Sequence, residues 1–267
     1  MNFSKRFRVK PGQRVRLADF DPADTAGFHK DEVAERLEKN VAKLADWHQR
    51  LFAESRRALL ILLQGMDTSG KDGTIAHVMT GFNPQGCRVT AFKAPSPAEL
   101  SHDFLWRVHQ AVPARGEIGI FNRSHYEDVL IVRVHNLTPK DVWSRRYEQI
   151  NAFERILAGN DVTILKFFLH ISKDEQLERL RSRLDDPAKL WKFNPGDLAE
   201  RKLWSRYVAA YEDALSRCST DDAPWFIIPA NKKWMRNLAV SQILLETLVH
   251  LNPKFPRPQI NRKSITL

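Results

Sequence analysis

The sequence predicts an α/β fold in which a parallel β-sheet is covered by helices on both faces. Three observations carry that prediction. Short apolar runs alternate with amphipathic stretches along the whole chain, the pattern of repeated βαβ units. The run Ala58 to Leu63, ALLILL, has no polar position, so it reads as a strand buried on both faces. That run passes through GMDTSGKDG into a helical pattern at Thr74, Ile75 and Val78. Strand, glycine loop and helix in that order is the context in which G-x-x-x-x-G-K cradles phosphate.

The chain has 267 residues and 43% hydrophobic content, which suits one large domain over residues 1–267. Six basic residues precede the first acid, Asp19, and alternate with Phe7, Val9 and Val15 in a strand-like way. Residues 1–28 therefore read as an ordered arm, not as a targeting peptide, which would need an apolar core. His29 to Arg57 predicts a long amphipathic helix, with Val33, Leu37, Val41, Leu44, Leu51 and Phe52 as its apolar stripe.

After the glycine loop, Cys87 to Phe92 alternate as a second strand, and Pro97 opens a helix to about Val112 with Leu100, Phe104, Leu105 and Val108 inward. Glu117 to Phe121 is a third strand, followed by the polar run Asn122 to Asp128. Polar residues at the C-terminal end of a strand are where open α/β sheets keep their ligands. A helix follows from about Pro139 to Leu157, then the strand Val162 to Leu169. Ser172 and Glu175 form an S-x-x-E capping box for a helix carrying Arg179, Arg181 and Arg183. AKLWKFNPGDL then reads as a mobile flap, giving a lid over about 173–200. A helix over Leu198 to Cys218, a strand over Trp225 to Ile228, a helix over Trp234 to Leu251 and a surface tail over 252–267 complete the chain.

Composition bounds the function. The net charge of +10 and pI of about 9.7 call for a polyanionic partner, either nucleic acid or a highly phosphorylated substrate. Cys87 and Cys218 match no metal-ligand spacing and read as reduced thiols of a cytoplasmic protein. No apolar run is long enough to span a membrane. His125, His135 and His170 are too scattered for a ligand set. Trp106, Trp143 and Trp204 fall at core positions, whereas Trp191 lies in the flap.

The glycine loop supplies N–H groups and a helix dipole to an anion, and Lys71 supplies a full charge. It is irregular at two positions. Asp72 stands where a hydroxyl would hold Mg²⁺, and Asp67 adds a carboxylate inside the loop. Those two acids set the chain apart from an ordinary ATP-dependent kinase. The absence of helix-turn-helix, zinc spacing or aromatic strand motifs argues against a nucleic-acid-binding NTPase.

The motifs GMDTSGKDG, FNRSHYEDVL, FFLHISKDEQLERLRSRLDDPAKLWKF and PWFIIPANKKW together resemble the polyphosphate kinase 2 family, most closely its class III branch, which phosphorylates AMP and ADP. The resemblance spans the chain from about His29 to the last helix. It implies a three-layer α/β/α, P-loop-kinase-like fold with a helical lid, dependence on Mg²⁺ with Mn²⁺ as an alternative, and a homo-oligomer, dimer or tetramer. The partners implied are inorganic polyphosphate and AMP, ADP or ATP, with no nucleic acid and no membrane.

Carried over residue by residue, the resemblance implies catalytic roles for Asp67, Lys71, Arg123, Glu127, Arg179 and Arg183. Polyphosphate or nucleotide binding would fall to Gly65, Met66, Thr68, Ser69, Gly70, Asp72, Gly73, Asn122, Asp128 and Lys192. Metal ligands would come from Asp67, Glu127 and Asp128. Asn122 departs from the aspartate of the family's other branch and is a poorer metal ligand, which passes that role to Glu127 or Asp128. The residues also permit plainer pairings: Arg123 with Glu127, and the lid arginines with Glu175 and Glu178 at helical spacing.

Overall fold

A computed structural model describes residues 1–258. Its five-stranded sheet comprises β1 (Ala58–Gln64), β2 (Cys87–Ala91), β3 (Ile118–Asn122), β4 (Val162–His170) and β5 (Trp225–Pro229). All pairings are parallel, in the order β2-β3-β1-β4-β5. β1 lies at the centre with every residue buried, as an uninterrupted apolar run requires. The register sets Leu63 beside both Asn122 and Phe167, so the loops after β1 and β3 leave the same edge side by side. The chain fills the β2–β3 side before crossing to β4 and β5, which makes the C-terminal end of β1 the topological switch point.

The helices in chain order are α1 (Phe3–Phe7), α2 (Lys30–Glu54), α3 (Lys71–Val78), α4 (Pro97–Leu100), α5 (Trp106–His109), α6 (Ile131–Val134), α7 (Lys140–Trp143), α8 (Arg146–Ala158), α9 (Lys173–Leu184), α10 (Gly196–Lys202), α11 (Trp204–Arg217) and α12 (Lys233–Leu251). α12 packs lengthwise on α2 and also touches α3, which carries the glycine loop. The result is the parallel α/β/α arrangement that the sequence predicts.

Several elements differ from expectation, each for a local reason. The N-terminal arm is ordered but opens as helix α1, because Phe3 and Phe7 are four residues apart and both buried, with Asn2 capping Lys5. Only afterwards does it run extended, where Val9 donates to the Trp225 carbonyl of β5 at 2.9 Å. The stretch expected as one helix from Pro97 is two short turns, separated where the Asp103 carboxylate takes the Leu105 N–H at 2.9 Å. Leu100 accordingly points to solvent. The helix expected from Pro139 breaks before Arg146, since Arg145 Nε captures the Asp141 carbonyl while its own N–H bonds Val142. The expected 198–218 helix is divided at Leu203 into α10 and α11.

Phe52 is half-exposed and lies against Gly86 rather than in the buried stripe of α2. Residues 252–258 carry no regular structure; the rest of the expected tail, 259–267, lies outside the described residues. Among the described residues no helix is long and apolar enough to cross a membrane. Cys87 and Cys218 are both free.

Candidate active site

The loop between β1 and α3 is shaped by two steric demands. A Cβ on Gly65 would lie 2.7 Å from both the Leu169 carbonyl and Ser69 Oγ, so only glycine lets the chain leave β1 at that angle. Gly70 ends the loop at φ 102°, a left-handed conformation, and a Cβ there would run into Arg236. Thr68 and Arg123 hold positive φ of 65° and 63° without being glycine. Such backbone persists only where the surroundings over-determine it.

The surroundings are side chains that take up the loop's carbonyls. Arg179 Nη1 donates to Thr68 O at 2.8 Å and Ser69 O at 3.1 Å, while its Nη2 donates to Ala230 O and Asn231 O. Gln176 Nε2 donates to Asp67 O at 3.1 Å. Lys71 Nζ donates to Gly65 O at 2.9 Å and Met66 O at 3.4 Å. Among the described residues the N–H groups of Gly70, Lys71, Asp72 and Gly73 have no acceptor. Carbonyls tied back and N–H groups left free at a helix start make an anion cradle. Thr68 Oγ1 and Ser69 Oγ are also buried with no partner among the described residues.

The polar run after β3 meets this loop. Arg123 Nη2 lies 3.0 Å from Asp67 Oδ1, and its Nη1 lies 3.7 Å from Glu127 Oε2. Asn122 Nδ2 donates to Asp72 Oδ1 at 2.6 Å. The predicted residues Asp67, Lys71, Asp72, Asn122, Arg123 and Glu127 therefore form one group. Burial opposes the Arg123 charge, but Glu127 and Asp67 outweigh it and hold its pKa above the usual range. Burial lowers the Lys71 pKa, helped by Arg123 and only partly offset by Asp67, Glu127 and Asp72. Burial likewise raises the Glu127 pKa against the pull of Arg123 and Lys71.

Other predicted residues are placed differently. Asp128 turns to Arg146, with Oδ1 2.9 Å from Nη1, and lines neither cavity at the site. Arg179 is committed to the loop's carbonyls and to Glu175 at 2.8 Å, which makes it a brace of the cradle. Arg183 holds the flap closed on itself, donating to Lys192 O at 3.1 Å and lying 3.5 Å from Asp197. Lys192 sits over the ring of Trp191, which is 78% exposed. The histidines serve the scaffold: His125 meets Glu154, His170 the Phe20 carbonyl and His135 Glu200.

Two cavities meet here. An open cleft of about 1130 Å³ runs from the loop between α9, the flap and the start of α12. A much smaller pocket, about 40 Å³, adjoins it, walled in part by Trp204, Tyr207 and Tyr211. Asp67 and Arg123 line both. The sequence reading missed Gln176, Arg236 and the aromatic wall. Arg236 had a signal, since a lone arginine inside the apolar run of α12 needs a reason. Tyr207 and Tyr211 had none beyond helical spacing.

Among the described residues no three His, Cys, Asp or Glu side chains converge as a closed metal site. Asp67 and Glu127 nonetheless fit a hard divalent ion that keeps most of its shell as water and phosphate oxygen, since Mg²⁺ needs only one or two carboxylates. Gln64, at the end of β1, borders them: its Nε2 donates to Ser124 Oγ at 3.1 Å, and among the described residues its Oε1 is buried without a donor.

A parallel sheet with an anion cradle after its central strand, and basic and acidic groups converging from the next loop, defines a P-loop phosphotransferase. Residues 27–256 match the polyphosphate kinase 2 family model, and the chain belongs to that family. It is 52% identical over 265 residues to the AMP/ADP-polyphosphate phosphotransferase of Meiothermus ruber, covering 98% of this chain and 99% of that protein. It is 46% identical over 267 residues to the ADP-polyphosphate phosphotransferase of Rhodopseudomonas palustris, covering 95% and 92%. The crystal structure of polyphosphate kinase 2 from Arthrobacter aurescens superposes with a TM-score of 0.95 at 45% identity, over 99% of this chain and 95% of that one.

Proposed function

We propose that the protein transfers the terminal phosphoryl group of inorganic polyphosphate to AMP and ADP, giving ADP and ATP. The observation that carries this reading is the meeting of two cavities at Asp67 and Arg123. A basic cleft suits a polyanionic donor chain; the aromatic pocket, about 40 Å³ as it stands, must widen to admit the acceptor nucleotide, and the transferred group would then sit between them.

The acceptor is a phosphate oxygen, ionised at neutral pH, and needs no strong base. The barrier is electrostatic: two unit charges 4 Å apart repel by about 4 kcal/mol at an effective dielectric of 20, and several such pairs meet. The free N–H groups of the cradle and Lys71 take the donor's negative charge. Arg123, held between Asp67 and Glu127, faces the moving group from the acceptor side. Asp67 and Glu127 would hold Mg²⁺ or Mn²⁺, which neutralises and aligns phosphate oxygens when bound. Asp128 fixes the segment after Glu127 through Arg146. Arg183 and Lys192 would act from the flap as it closes on the donor.

We further propose a cytoplasmic homo-oligomer, in keeping with the two free thiols and measurable by sedimentation. The decisive experiment mixes purified protein with Mg²⁺, polyphosphate and AMP or ADP and follows ATP. Formation of ATP that scales with polyphosphate is the expected result; no ATP from either acceptor would refute the reading.

A further inference from the structure

Among the described residues Arg236 is a cation without a counter-ion. It projects from the first turns of α12, is 3% exposed, and among the described residues forms no ion pair. Its Nε and Nη2 donate to the neutral Asn237 Oδ1 at 3.1 and 2.8 Å, and its Nη1 reaches Ser69 O only at 3.5 Å. Five N–H bonds in a fixed fork are thus incompletely used. The guanidinium lies against the end of the phosphate loop. A Cβ added to Gly70 would fall 1.8 Å from Nη1, and one added to Gly73 would fall 3.1 Å from Nη2.

Its near neighbours add to the charge instead of balancing it. Burial and then Arg179 push the Arg236 pKa down to about 10. Lys233, one turn earlier on α12, is lowered by burial and then by Arg179, Arg236 and Lys189. Glu175 is the acid that faces this group, and it is already paired with Arg179. A buried charge without a partner is costly, and buried charges are as a rule paired with an opposite one. Arg236 and Lys233 both line the open cleft beside the free N–H groups of Gly70, Lys71 and Gly73.

We propose that Arg236 is a donor-binding residue whose counter-ion is the polyphosphate chain, so that the free protein carries an unneutralised cation behind its phosphate loop and the donor relieves it. This rests on the proposed function and adds to it a direction: the chain passes the loop on the α12 side, away from the aromatic pocket. It also adds an energetic consequence. The residue that strengthens donor binding weakens the free protein, so its removal should separate the two.

The test compares wild type with Arg236→Gln by thermal unfolding, alone, with inorganic tripolyphosphate, and with ADP. KM is measured for polyphosphate and for ADP. Expected is an Arg236→Gln protein at least as stable as wild type without ligand. Its stabilisation by tripolyphosphate should be at most half that of wild type, and its KM for polyphosphate about tenfold higher, equivalent to about 1.4 kcal/mol. KM and stabilisation by ADP should be unchanged. Full retention of the tripolyphosphate effect, or equal losses on ADP, overturns the proposal and marks Arg236 as a packing residue. If Arg236→Gln does not fold, Arg236→Lys decides, because it keeps the charge and loses the fork. A raised KM for polyphosphate alone supports the proposal, and unchanged constants overturn it. Wild type that forms no ATP would refute the proposed function, whereas active wild type matched by both variants refutes this inference only.

Discussion

Asn122 and Asp72, the irregular residues of two separate motifs, bond to each other: Asn122 Nδ2 lies 2.6 Å from Asp72 Oδ1. Each substitution makes sense of the other. An aspartate at 122 would set a second carboxylate against Asp72, whereas the amide donates a hydrogen bond to it. Asn122→Asp is therefore expected to lower the melting temperature at neutral pH in the absence of Mg²⁺, by about 1 kcal/mol or more of repulsion. Added Mg²⁺ should restore stability more than it does in wild type. Equal Mg²⁺ responses in the two proteins would show that the pair is incidental.

Lys71 is parked on the carbonyls of Gly65 and Met66, 2.9 and 3.4 Å away, and must leave them to meet a phosphate. Because those contacts are local to the loop, Lys71→Ala should leave circular dichroism and the unfolding midpoint nearly unchanged. Turnover with ADP should fall by about 10²–10³-fold, the scale of removing one charge-stabilising donor. A loss under tenfold would remove Lys71 from the transfer step.

What was legible in the sequence is what lies within one βα unit. ALLILL followed by GMDTSGKDG fixes a central strand and its loop because local sterics and the apolar run dictate both. The run after β3 was legible for the same reason. Arg236 was not, because it reaches Gly70 from 166 residues along the chain, and no periodicity encodes that crossing. Asp128 misled in the same way: beside Glu127 in sequence, it follows the turn to Arg146 on α8. Helix ends were misplaced wherever a side chain, such as Asp103 or Arg145, competed for a backbone group.

Arg179 and Arg183 share one face of α9, yet the structure gives them different work. Arg179 spans the carbonyls of Thr68, Ser69, Ala230 and Asn231, so Arg179→Ala should cost about 2–4 kcal/mol in urea unfolding and weaken donor binding together with stability. Among the described residues the polar contacts of Arg183 are with the flap, through Lys192 O and Asp197. Arg183→Ala should change stability by less than about 1 kcal/mol while lowering kcat/KM for polyphosphate. Equal stability losses in the two variants would contradict this division.

Asp128 supplies a pH signature. Burial raises its pKa from 3.8 to about 6, with Arg146 and Arg107 offsetting only part of that cost. An acid with a raised folded pKa binds its proton more tightly in the folded state. Its stabilising contribution is present near pH 4 and is lost as the pH rises to about 6, by at most about 3 kcal/mol. Asp128→Asn keeps an oxygen for Arg146 without the charge. Relative to wild type it should gain stability across that window and retain activity within a few-fold. A collapse of activity at saturating Mg²⁺ would instead assign Asp128 to the metal.

The strongest structural demand in the site lies behind Glu127. Lys166 Nζ is fully buried, 2.5 Å from Glu154 Oε2, 2.6 Å from Cys218 O and 2.9 Å from Tyr126 Oη. Glu154 Oε1 in turn accepts from Tyr126 at 3.0 Å and meets His125 Nε2 at 3.2 Å. Burial opposes the Glu154 charge, but Lys166 and His125 outweigh it and hold its pKa low. His125 and Tyr126 immediately precede Glu127, so this pair fixes the turn that presents Glu127 and Arg123 to the loop. Glu154→Gln leaves Lys166 buried without its anion and should cost about 3–5 kcal/mol in urea unfolding, with kcat falling alongside. Removing both charges, as Glu154→Gln with Lys166→Met, should recover much of that stability because no orphaned charge remains. Recovery of kcat in the double variant would limit the pair to a scaffold role, whereas stability regained without kcat would show that the ion pair itself sets the position of Glu127. A single variant that unfolds like wild type would contradict both.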